Sequence, residues 1–165
     1  MASRAVYRSR QFFASLRPRV DALLHDEAFA MLNDGERALF DSMTLRDQQH
    51  CLDVFRSLRE QHNDRDLLVA ALLHDCGKGQ IALWHRVAYV VLDNAAPSLL
   101  RHAVTPGNGP GWRQALYRCA HHEELGAALA QRAGSTPRVV ALIRGDRTND
   151  VHDQLAALHA ADDAA

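Results

Sequence analysis

The chain has 165 residues, 47% apolar and 24% charged, with a formal net charge of −1. That length can bury a core without disulfides, and the composition excludes a disordered chain, a collagen-like chain and a strongly basic nucleic-acid binder. The longest uninterrupted apolar run, Leu67 to Leu73, is seven residues, against the roughly 18–20 that a membrane span needs.

The first twenty residues carry Arg4, Arg8, Arg10, Arg17 and Arg19 and no acid. Val6, Phe13, Leu16 and Val20 fall near one helical face, so the stretch reads as a basic amphipathic helix packed on the domain. A phosphate- or membrane-attracted basic face and an organelle-targeting segment are the other readings of the same residues. Residues 1–42 form this helix and its lead-in, and residues 43–165 form the helical domain that carries the candidate site.

From there the pattern is helical. Asn33 with Glu36 forms a capping box ahead of Arg37–Met43, and Thr44 caps the next helix. That helix carries Cys51, Leu52, Phe55 and Leu58 on one stripe, with His50 and Val54 beside it. Asn63 or Asp64 caps a helix through Leu67–Leu73 that is apolar nearly all round, as a central buried helix should be, and Gly77 and Gly79 are expected to end it. Further helices are expected over Ile81–Leu92, Pro97–His102, Trp112–Ala120, Glu123–Ala133, Pro137–Arg144 and Val151–Ala161. Thr105–Gly111 is a breaker-rich loop. No alternating strand pattern interrupts the series, so the expected fold is all-α, a compact single-domain helical bundle.

Chemistry concentrates at Ala70-Ala-Leu-Leu-His-Asp-Cys-Gly-Lys-Gly79. His74 and Asp75 are adjacent at the end of the most apolar helix, where a buried carboxylate is costly unless paired or bound to a cation. An imidazole beside a carboxylate is half of a divalent-metal site. Lys78, the chain's single lysine among nineteen basic residues, follows one turn later, and the glycines leave room there for a ligand. A short turn over Glu60–Asp64 makes the two helices antiparallel, which can bring His50 level with His74. Taken singly, His50 reads as a core or surface histidine and His74-Asp75 as a helix-end hydrogen bond; their joint occurrence points to a metal.

The pattern His50 … His74-Asp75-Cys76-Gly77-Lys78 … His122-Glu-Glu-Leu-Gly-Ala127 … Ala161-Asp162 resembles the HD-domain metal-dependent phosphohydrolases, particularly the branch with an H-D-I-G-K signature. The resemblance runs from about Met43 to Asp162. It implies a compact helical bundle around a metal cage, with His50, His74, Asp75 and Asp162 as ligands of a first divalent ion. His122, four residues before Gly126, is carried over as a second-shell or second-metal ligand. Two departures stand out. Leu142-Ile-Arg-Gly-Asp146 lacks the later histidine of binuclear relatives, leaving either one metal or a second site completed by Asp146. Cys76 replaces an aliphatic residue and fits a buried wall, with a soft metal ligand as the alternative reading.

The chemistry so implied is hydrolysis of a phosphoester or phosphoanhydride by metal-activated water, with the substrate a nucleotide or another small phosphorylated metabolite. Asp75 holds metal and orients or deprotonates the water, and Lys78 neutralises phosphate charge. Arg86 is either a second cationic contact or a solvated arginine. The hard donors suit Mn²⁺, Fe²⁺, Mg²⁺ or Zn²⁺. Two rival readings are a non-catalytic HD module that binds a nucleotide or protein partner, and a protein whose Arg-rich N-terminal helix docks on an acidic partner. Stable nucleic-acid binding is not expected at this net charge. Three cysteines with no paired spacing suit a reducing cytoplasm. The remaining histidines read as ordinary: His25, His62 and His159 are expected in solvent, and a place at the mouth of the site is the minority reading for His85 and His102.

Overall fold

A computed structural model describes residues 22–104, 110–148 and 151–165. The N-terminal basic helix and most of the Thr105–Gly111 loop lie outside the described residues. Within them the chain is all-helical: α1 Ala22–Met31, α2 Asp34–Asp41, α3 Leu45–Arg59, α4 Arg65–Leu73, a 3-10 turn at Cys76–Lys78, α5 Leu83–Ala95, α6 Pro97–Ala103, α7 Gly111–Ala120, α8 His122–Arg132, α9 Pro137–Arg144 and α10 His152–Ala164. None of these helices is long and apolar enough to cross a membrane.

The starts of the helices follow their caps. The Asn33 side chain accepts from the Glu36 amide while the Glu36 carboxylate accepts from the Asn33 amide, both at 2.9 Å. Glu36 is itself buried and also accepts from the Ser135 hydroxyl at 2.8 Å, which ties α2 to the entry of α9. Thr44 caps α3, Asp64 caps α4 and Thr136 caps α9, each through a side-chain oxygen that takes otherwise unpaired amides. Of the two residues considered for the α4 cap, Asp64 fills the role.

Helix α4 is the centre. Every residue from Leu67 to Leu73 is buried, and α1, α2, α3, α9 and α10 all pack around it. An all-apolar surface is what a helix enclosed by five others needs. Phe40, Leu52, Phe55, Leu142 and Leu158 fill the space between these layers. A second, smaller cluster of Leu100, Ala103 and Leu116 holds α5, α6 and α7 together beside the main core.

Three differences from the sequence reading bear on the site. Helix α4 stops at Leu73 with His74 as its cap, so Gly77 does not terminate it; the glycine sits inside the 3-10 turn that follows. Helix α5 begins at Leu83, because Ile81 is buried in the linker and Ala82 is extended. Helix α10 runs on to Ala164, which places Asp162 on a helix rather than after one.

Candidate metal centre

Each candidate ligand is delivered by a different piece of backbone. His50 projects from the middle of α3, His74 caps α4, Asp75 starts the tight turn and Asp162 sits near the end of α10. The antiparallel α3–α4 pair brings the His50 and His74 rings to 5.3 Å between centroids. His50 Nε2 lies 2.7 Å from Asp162 Oδ1, and His74 Nε2 lies 3.4 Å from the same oxygen. One ligand atom from each of the three lies within 4.8 Å of the others. Asp75 adjoins the group: its Oδ1 is 3.6 Å from His74 Nε2 and its Oδ2 is 4.0 Å from His50 Nε2.

His74 is the most informative member. Its Nδ1 donates to the Ala71 carbonyl at 2.9 Å, which fixes the ring and leaves Nε2 aimed at the group. That Nε2 is buried and has no hydrogen-bond partner. A buried polar atom without a partner is costly, and here it faces two carboxylates and a second imidazole. A backbone-anchored Nδ1 with a bare Nε2 is how a protein presents histidine to a cation. With ligand bonds of about 2.0–2.2 Å, a cation spans about 4 Å between opposite donors, so small side-chain rotations close the group on one ion.

The electrostatics agree with the geometry. Burial alone would raise the Asp75 carboxyl, but His74, Lys78 and His50 outweigh it and hold that group far below the usual carboxylate range. Asp162 is likewise depressed: burial opposes ionisation, and the hydrogen bond from His50 together with the His74 imidazole beside it overcomes that. Burial disfavours a charged His74, yet the Cys51 sulfur and the two carboxylates around it raise its pKa well above the ordinary value. Two ionised carboxylates thus draw positive charge into this spot from whatever can supply it.

Lys78 Nζ donates to Asp75 Oδ2 at 2.6 Å, so the single lysine is partnered with the motif's own aspartate. The room expected beside the glycines is not open to a ligand. A Cβ on Gly77 would sit 1.9 Å from the His122 carbonyl oxygen and 2.6 Å from the Gly126 amide. The missing side chain lets the turn lie backbone-to-backbone on α8, and Gly126 keeps the approach open from the other side, since a Cβ there would lie 3.3 Å from the Gly77 amide nitrogen. Gly79, with φ +61 and ψ −157, adopts a conformation that only glycine takes readily, and the Arg118 guanidinium covers its open face.

His122 opens α8, and its Nδ1 donates to the Cys119 carbonyl at 3.0 Å. It shares a small pocket of about 40 Å³ with His74, Glu123, His159 and Asp162. His122 is therefore on the open side of the centre, beyond the three-residue group. His121 turns away to Tyr117 and Glu124. Asp146 does not join the centre; it lies 3.4 Å from Arg144, beyond the end of α9. Cys76 donates to the Gly126 carbonyl and lines the buried wall.

Arg86 is not a solvated arginine. It meets Asp47 through two hydrogen bonds of 2.5 and 2.6 Å, and Asp47 is buried at the first turn of α3. Nothing in the sequence signals this pair, which is 39 residues apart. His159 is exposed, as expected, but it lines the pocket, and its position three residues before Asp162 on one helical face is a signal the sequence reading left unused. His25, expected in solvent, stacks on Phe29 at 4.3 Å. His85 stacks on Trp84 at 3.5 Å, and His102 is exposed at the end of α6.

Comparison with protein-family models, curated proteins and solved structures finds no match to this chain.

Proposed function

We propose that the chain is a metal-dependent phosphohydrolase of the HD type, acting on a nucleotide or another small phosphorylated metabolite in the cytoplasm. The observation that carries this reading is the buried, unpartnered Nε2 of His74, set in a ring with His50 and Asp162 and beside Asp75. The motif resemblance supports the same assignment. Imidazole and carboxylate donors suit Mn²⁺, Fe²⁺, Mg²⁺ or Zn²⁺. The three free cysteines suit a reducing compartment.

His50, His74, Asp75 and Asp162 would hold the ion. When bound, it supplies Lewis acidity and an acidified water. Asp75 orients a water molecule through the oxygen not taken by Lys78, accepting a hydrogen bond rather than the proton, since its neighbours hold it far below the usual carboxylate range. Lys78 holds Asp75 ionised and offers its remaining N–H donors to a phosphoryl oxygen. Arg118 lies over Gly79, one residue after Lys78, and is exposed; it adds a cation at the edge where phosphate would enter. His159 borders the pocket and can donate to a substrate oxygen, whereas His122, its Nδ1 proton given to the Cys119 carbonyl, presents Nε2 there as an acceptor. Arg86 positions rather than reacts, since Asp47 occupies it.

The test is metal content of the purified full chain by mass spectrometry, beside His74→Ala, with phosphate release from a nucleotide panel supplemented with Mn²⁺. About one metal per chain, lost in the variant together with turnover, is the expected result. Metal-free protein with no metal-dependent turnover would overturn the proposal. Metal and nucleotide bound without turnover would favour a binding module instead.

A further inference from the structure

Four cations from four separate pieces of backbone gather on the Gly79 side of the centre. Lys78 ends the 3-10 turn, Arg86 lies near the start of α5, Arg118 in the last turn of α7 and Arg46 in the first turn of α3. Helix α7 packs on both the turn and α5, and Arg86 reaches across to Asp47, the neighbour of Arg46. Two carboxylates stand among these cations and both are taken, Asp75 by Lys78 and Asp47 by Arg86. The other acids of these elements, Asp53 and Asp93, lie two turns along their helices, and Asp53 is bound to Arg56.

Donors are left over. Among the described residues Arg118 has no ion pair and no side-chain hydrogen bond, and its guanidinium stands 2.8 Å from where a Cβ on Gly79 would be. The Lys78 ammonium carries three donors, of which Asp75 takes one. Arg86 Nε is buried and its proton meets no acceptor. Burial and the nearby Arg86 hold the Arg46 guanidinium below its ordinary pKa, the effect of like charges brought close together.

We propose that this cluster is a subsite for a polyphosphate chain, so that the substrate is a di- or triphosphate rather than a monophosphate. The inference deepens the phosphohydrolase reading and rests on it for the reaction, though not for binding of the anion. Lys78 joins the two regions, since it touches Asp75 of the centre while Gly79 beside it lies under Arg118. Gly79 brings no side chain to this spot, and the planar fork of Arg118 matches phosphate oxygens two at a time. A single phosphate held at the centre and by Lys78 leaves that fork unused, whereas a chain of phosphates engages both. None of the four cations lines the small pocket shared by His122 and His159, so the further phosphates are held apart from it.

Isothermal titration of the EDTA-treated full chain with inorganic tripolyphosphate, and separately with orthophosphate, tests the subsite. Tripolyphosphate should bind roughly tenfold more tightly or better, the ratio that one charge-assisted contact supports. Arg118→Gln should remove most of that preference, leave orthophosphate binding unchanged and flatten the salt dependence of tripolyphosphate affinity. Arg132→Gln, which deletes the same charge from the last turn of α8, should leave the preference intact. Equal affinities for the two anions overturn the proposal. So does an equal loss in the Arg118 and Arg132 variants, because a diffuse field rather than a site would then hold the anion. Titration in EDTA does not depend on metal content. Tripolyphosphate preference in a chain that takes up no metal would sink the phosphohydrolase reading and keep the anion site, and metal uptake without the preference would do the reverse.

Discussion

Replacing Arg86 with methionine removes the guanidinium that Asp47 depends on while keeping much of the side-chain volume. The Asp47 side chain is 2% exposed and that of Arg86 is 19% exposed, so solvent cannot take over the two lost hydrogen bonds of 2.5 and 2.6 Å. The carboxylate retains the Thr44 hydroxyl at 2.7 Å and its place in the first turn of α3. Breaking a buried pair from one side costs about 3–5 kcal/mol, and the helix N-terminus returns about 0.3–1 kcal/mol of that. The expected loss is about 3 kcal/mol, a large share of the 5–15 kcal/mol typical of a domain. Urea unfolding followed by far-UV circular dichroism measures it, with the slope compared so that a change in compactness is not read as a change in stability. Asp47→Leu/Arg86→Met removes both charges and should recover more than half of the loss. A single-variant effect below about 1 kcal/mol would refute the reasoning, because it is the value of an exposed pair.

Gly77→Ala should destabilise the fold by about 2–3 kcal/mol through overpacking and lower metal retention, while Gly111→Ala, where a new Cβ meets nothing within 4 Å, should do neither; equal effects in the two melts would contradict the backbone contact on α8. Burial pushes the Cys76 thiol up to about 12, Cys51 is fully buried and Cys119 is half-buried. A disulfide reagent at pH 8 should therefore find at most one fast thiol in the native chain and three in urea, and three fast native thiols would show the wall to be open. Asp75, depressed in the folded state, contributes stability above the unfolded carboxyl value of about 3.9 that is lost as pH falls toward its folded value. Metal-free protein should weaken below about pH 4, more steeply than Asp75→Asn; identical acid limbs for the two proteins would remove Asp75 from that role.

The parts of this molecule written locally could be read from the sequence. Asn33 with Glu36, Thr44, and Asn63 or Asp64 each announce a helix start within four residues, and the unbroken apolar run from Leu67 to Leu73 announces the central helix. His50 and His74 could be matched because one short turn joins their helices. What escaped is set by packing between distant segments. Arg86 reads as a surface residue until α5 is folded over the start of α3. Gly77 reads as a helix stop, because its actual neighbour, the His122 carbonyl, is supplied from another part of the chain. Asp146 was as good a ligand candidate as any acid by composition, and only the direction of the chain after α9 places it beside Arg144 instead.

The His50–Asp162 contact joins residues 112 positions apart, whereas His50 and His74 belong to neighbouring helices. Closing so long a loop costs entropy before any contact rewards it, so contacts of high sequence separation form late. The two histidines need only the α3–α4 hairpin to meet, whereas the contact with Asp162 needs α10 docked on the bundle as well. A cation held by all three would act as a clasp across the whole bundle. Its off-rate would report the undocking of α10, making metal release a clock for the opening of the fold.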